Sequence, residues 1–149
     1  MIAAIGLYLK DSPVDKVVTE SLTSLMPDQV DTIVIQRDDL TEIIFEKTGG
    51  LWKISSPITA EATPEKINWL LKFLKLKSKH QHIITEQKQL TRYELENPKI
   101  SLFINDQQFD FGNTNDFNHL RYVLHEGTVH SVKDITHHLL ISDVDSFKK

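Results

Sequence analysis

"DTIVIQRDDLTEIIFEKTGGLWKIS", residues 31–55, holds three short runs rich in Ile, Val, Phe and Trp, separated by turn residues. β-branched and aromatic side chains suit a pleated, half-buried surface. Asp38-Asp39 stands between the first two runs and Gly49-Gly50 between the second and third. Links this short join antiparallel neighbours, and paired glycines supply the positive φ that tight hairpins require. The stretch therefore predicts a three-stranded meander over residues 31–37, 41–47 and 51–55.

Downstream, Thr63-Pro64-Glu65 offers a cap, a proline for the first helical position and an early acid. Ile67, Leu70, Leu71 and Leu74 then form a stripe of helical period, which Trp69, Phe73 and Leu76 widen. A stripe that broad is expected to cover a sheet face containing Ile33, Ile35, Phe103 and Tyr122. Further along, residues 82–86 suggest a short strand and 89–98 a short helix stopped before Pro98. Residues 99–106 and 107–112 suggest one hairpin, and 119–125 and 128–133 another around Glu126-Gly127. A last helical stretch covers about residues 134–145. Upstream, Ser12-Pro13 opens a helix through Val14, Val17, Val18, Leu22 and Leu25, ended by Pro27. The expected fold class is α+β: antiparallel sheets of short strands and hairpins packed against one main amphipathic helix, with short flanking helices. Residues 30–149 form its single domain.

The chain has 149 residues, enough for one such core, and its net charge of −4 argues against a protein living on bare nucleic acid. The charge is uneven, since residues 64–99 carry a balance of +4 between acidic flanks. Lys72, Lys75, Lys77 and Lys79 concentrate it and mark a candidate interaction surface. They suit either the solvated face of a helix or contact with an anionic membrane. The chain contains no cysteine, which excludes disulfides, thiolate catalysis and cysteine-ligated metals. Residues 2–9 carry no charge, yet a bilayer-spanning helix needs about 20 apolar residues. Residues 1–11 are thus either the remnant of a membrane anchor or a docking apolar terminus, and residues 12–29 a short juxtamembrane helix and connection.

Three motifs suggest chemistry and fail its requirements. Asp110-Phe111-Gly112 matches the magnesium-holding triplet of kinases, but the glycine-rich loop, strand lysine and catalytic loop are missing. "QFDFGN" instead alternates like a strand that ends in a turn. "HEGTVH", residues 125–130, resembles a zinc-protease motif but spaces its histidines i, i+5 instead of i, i+4. In a simple two-residue hairpin, His125 and His130 would be diagonal neighbours on one face, whereas a bulge at Gly127 would change that register. His80 and His82 would share a strand face, and His137-His138 lie in the final helical stretch. None of these pairs has an evident third ligand, so neither metal nor cofactor is expected. No nucleophile elbow or phosphate cradle occurs, so no catalytic residue is assigned and the chain is not expected to be an enzyme. Trp52 is expected half-buried against the helix that carries Trp69.

The order of motifs is more informative than any one of them. "LWKISSP", "TPEKINWLLKFLKLK", "YELENP", "ISLFIND", "FDFGNTN" and "RYVLHEGTVHSV" follow one another. Over residues 32–140 this series resembles the bacterial domain-of-unknown-function family DUF4340. Glu94 departs from the family pattern, which usually has glycine there, and implies a less permissive backbone. The resemblance implies an N-terminal transmembrane anchor upstream and a domain on the periplasmic side of the inner membrane. It also implies proximity to ABC-type transporter components, and carries no active site. The expected function is that of a non-catalytic accessory or interaction domain of a membrane transport system. A glycan- or peptide-binding module and a hydrolase of unknown type are the alternatives.

Overall fold

The computed structural model describes residues 21–149. The apolar segment 2–9 and the helix start at Ser12-Pro13 lie outside the described residues. Among those described, nine strands form one antiparallel sheet. They are β1 (Thr32–Arg37), β2 (Leu40–Thr48), β3 (Leu51–Ser56), β4 (Ala60–Glu61), β5 (His80–Ile83), β6 (Ile100–Ile104), β7 (Gln107–Thr114), β8 (Arg121–His125) and β9 (Thr128–Val132). Their order across the sheet is β4-β3-β2-β1-β6-β7-β8-β9-β5. Two meanders thus run in opposite directions from a central β1–β6 pair, in which Ile35 stands opposite Leu102. Gly49 and Gly50, with φ of 58° and 81°, close the β2–β3 hairpin as expected of a primed turn.

The fold is mainly β, which corrects the α+β expectation. The predicted main helix is only α1 (Pro64–Leu71); its chain tightens to a 3-10 turn over Lys72–Lys75 and then extends into β5. The reason is distance. This link joins opposite edges of the sheet, and nine strands spaced about 4.8 Å apart measure roughly 38 Å along its surface. A helix over residues 64–79 would cover only about 24 Å, so part of the link has to be extended. The apolar stripe persists beyond the helix because Phe73 and Leu74 are buried from the 3-10 turn.

The inner sheet face carries the main core. Ile33, Ile35, Ile43, Phe45, Ile54, Leu102, Ile104, Phe109, Phe111 and Val123 meet Ile67, Leu70, Phe73 and Leu74 there. Phe73 packs edge-on against Phe109 at 5.0 Å, and Phe147 against Phe45 at 5.1 Å. Phe103 and Tyr122 are not on this face. In β6 the inward parity belongs to Ile100, Leu102 and Ile104, and in β8 to Val123, so the two rings point to the opposite side. Residues 21–26 are not helical, and Pro27 opens the 3-10 turn Pro27–Gln29 instead of ending a helix. Leu22 is nevertheless buried in the core. Near the C-terminus are α2 (His137–Leu140) and a 3-10 turn, Val144–Phe147.

Candidate functional site

Among the described residues, the outer sheet face is covered toward the β8–β9–β5 end. The 3-10 stretch Gln87–Tyr93 folds over it, and Leu90, Tyr93 and Leu95 form a small second core with Val129. Tyr93 meets Tyr122 edge-on at 4.7 Å, His82 lies 6.0 Å away, and the Arg92 guanidinium stands 5.5 Å from the Tyr93 ring. Beside these rings opens a cleft of about 560 Å³, lined by His80, Gln81, His82, Arg92, Tyr93, Asn115, Asn118, Tyr122, Val129 and Ser131. Its size is that of a small-ligand or side-chain pocket. Its lining contains no Asp or Glu.

One wall belongs to the loop between β7 and β8. The side-chain oxygen of Asn115 accepts from the Phe117 and Asn118 main-chain N–H groups at 2.8 and 3.2 Å, and its amide donates to the Tyr122 hydroxyl at 2.7 Å. Asn118 accepts in turn from the Leu120 N–H. Asparagine favours such local turns because its short side chain imitates the backbone. The result is an internally braced loop with Phe117, 95% exposed, between the two asparagines. Neither the loop nor the ring cluster was anticipated from sequence. The available signal was "NTNDFNH", residues 113–119, a lone aromatic in an Asn/Asp-rich turn.

A second cleft, about 550 Å³, lies where residues 91–99 meet β7 and includes Glu94, Asn113, Arg121 and His137. It is a structural junction. A Cβ on Gly112 would stand 2.1 Å from the Tyr93 carbonyl oxygen, so only glycine allows the two segments to meet. Glu94, where the family pattern usually has glycine, adopts φ 57° and ψ 39°, the left-handed geometry that glycine enters without strain. Arg121 holds Asp134 through two hydrogen bonds and donates to the Gly112 carbonyl at 2.7 Å. Burial and Arg121 keep the His137 imidazolium form disfavoured. The Asn113 side-chain oxygen is buried without a hydrogen-bond partner.

The four predicted lysines are all exposed but share no helix face. The Lys72 ammonium sits 4.1 Å from the centre of the Trp69 ring, and Trp69 is 44% exposed instead of widening the buried stripe. Lys75, Lys77 and Lys79 alternate along the extended chain with half-buried Leu76 and buried Ser78. His125 and His130 are diagonal neighbours on the inner face, since Thr128 pairs with His125 and His130 with Val123. Both are buried and engaged: His130 Nδ1 lies 2.8 Å from the Ser78 hydroxyl, and His125 Nδ1 donates to the Gln108 carbonyl at 2.9 Å. His80 and His82 share the outer face of β5. Among the described residues, no group of three or more His, Asp or Glu side chains is placed to hold a metal ion. Asp110 accepts hydrogen bonds from Ser101 and Gln108 on the outer face. Trp52 is half-buried, as expected, and packs against the main core.

Among the described residues, no helix is long and apolar enough to cross a membrane. No curated protein and no solved structure matches the chain. The family model described as "Domain of unknown function (DUF4340)" matches residues 52–149, which include α1, the Tyr93–Leu95 segment, Gly112 and the whole cleft. The chain belongs to the DUF4340 family.

Proposed function

We propose that this chain is a non-catalytic interaction domain, an accessory of a membrane transport system held on the periplasmic side of the inner membrane. The observation that supports binding is Phe117, a nearly fully exposed aromatic on a loop braced by its own asparagines. A rigid, exposed aromatic loses little conformational freedom on docking, and such residues dominate the energetics of interfaces. The family resemblance supports the envelope location and the transport partner. The test places a photo-crosslinking amino acid at position 117 in native cells, with Lys53 on the distant strand β3 as the control position. A reporter active only outside the cytoplasm is fused after Lys149. The expected result is a membrane-retained product with an active reporter and a crosslink at 117 to a transport component. Crosslinking at 117 no stronger than at 53 would defeat the interaction role, and an inactive reporter would defeat the periplasmic location.

The second reading, a glycan- or peptide-binding module, is favoured by the Tyr93–Tyr122–His82 cluster beside the polar cleft. Aromatic walls with a few fixed polar groups are the usual construction of a ligand site.

A further inference from the structure

We infer that the cleft between β5 and the β7–β8 loop binds a carboxylate side chain of an extended peptide that pairs with the edge of β5. This rests on the binding reading above and names the ligand for it.

Charge points to an anion. The lining offers Arg92, His80 and His82 and no carboxylate, while the nearby acid Asp116 belongs to the loop but not to the lining. Lys75, Lys77 and Lys79, on the link that leads into β5, add positive charge to this end of the sheet. Same-sign charges along a groove raise the local concentration of counter-charged ligand. Among the described residues, Arg92 stands in no ion pair, and its guanidinium rests against the Tyr93 ring. A stacked guanidinium keeps its N–H fork available and matches a carboxylate through two parallel hydrogen bonds. Phosphate sites generally gather several arginines, whereas here a single arginine is supplemented by neutral amides from Asn115 and Asn118.

Backbone geometry points to a peptide. Among the described residues, β5 is the last strand of the sheet. The Ile84 N–H donates to the Gly127 carbonyl at 2.9 Å, so by antiparallel alternation Gln81 and Ile83 turn their main-chain groups away from β9. An edge of this kind accepts an added strand, and side-chain pockets beside it select the sequence. Ile83, 56% exposed, offers apolar contact at the same edge.

The experiment pans a displayed library of random heptapeptides against the purified full chain and against Arg92→Gln. Enriched peptides are then measured by fluorescence anisotropy. The expected result is an Asp or Glu at one fixed position, with binding at least about tenfold weaker when that acid is replaced by its amide or when Arg92→Gln is used. Lys53→Gln, on the distant strand β3, should bind as the parent does. The Gln81 and Ile83 amides should gain protection from hydrogen exchange on binding. Enrichment of no peptide, enrichment without an acid, or unchanged affinity in correctly folded Arg92→Gln would overturn the inference. So would a uronic-acid oligosaccharide that displaces the peptide at lower concentration than the peptide itself. Crosslinking at position 117 together with any of these failures would retain the interaction domain and discard the peptide carboxylate.

Discussion

His130 connects a single buried ring to the pH dependence of the whole fold. Burial, and to a lesser degree the neighbouring His125, lower its pKa to about 4. In the unfolded chain a histidine ionises near 6.5, so between these values the unfolded state binds more protons. Stability is therefore complete above pH 6.5 and falls as pH drops through the window toward 4, by about 3 kcal/mol in all. Denaturant titrations at a series of pH values should show this slope, and His130→Gln should flatten it. An unchanged slope in the variant would assign the effect to other groups. Glu94 and Gly112 form a second test at this scale. A non-glycine residue in left-handed geometry costs about 1–2 kcal/mol, so Glu94→Gly should stabilise the fold by about 1 kcal/mol. Gly112→Ala should destabilise it by about 3 kcal/mol, because the atom it meets is the Tyr93 backbone oxygen. Thermal or chemical unfolding of the two variants checks both signs.

The link carrying α1 acts as a strap across the inner face, and its short helix anchors the core through Ile67, Leu70 and Leu71. Leu70 is fully buried, so Leu70→Ala should cost about 2–5 kcal/mol. A loss below about half a unit in an unfolding titration would place the strap outside the cooperative core. α2 is fastened differently. The Arg37 guanidinium donates to the Leu140 and Ser142 carbonyls at its C-terminal end and also to the Thr41 carbonyl. Cations at a helix C-terminus satisfy carbonyls that lack partners within the helix. This one arginine therefore ties the β1–β2 hairpin to the C-terminal segment.

At the scale of the molecule, the family match begins at residue 52, inside β3, whereas β1 and β2 lie before it in sequence. Yet β1 and β6 form the central pair of the sheet. Expression of residues 52–149 alone would leave β6 as an open edge and uncover Leu102 and Ile104, both fully buried in the complete fold. An exposed apolar edge strand pairs with other chains. That fragment should aggregate, whereas the full chain should remain soluble and unfold cooperatively. Size-exclusion chromatography and thermal denaturation distinguish the two outcomes, and a soluble, cooperatively folding fragment would contradict the central role of β1.

The sequence by itself determined what depends on neighbours along the chain. Alternation and Gly49-Gly50 specified the first meander, and Glu126-Gly127 marked a turn, while the register that puts His125 and His130 on one face comes from the strand pairing itself. The cap at Thr63-Pro64 marked where α1 begins. Tertiary structure decided where α1 ends, because the width of the sheet between β4 and β5 appears nowhere in a local window. It also decided the facing of Phe103 and Tyr122, since alternation within a strand defines two faces without saying which one is buried. The cleft was illegible for the same reason. Tyr93, Tyr122, His82 and Asn115 come from four separate segments, and only the order of strands in the sheet brings them together.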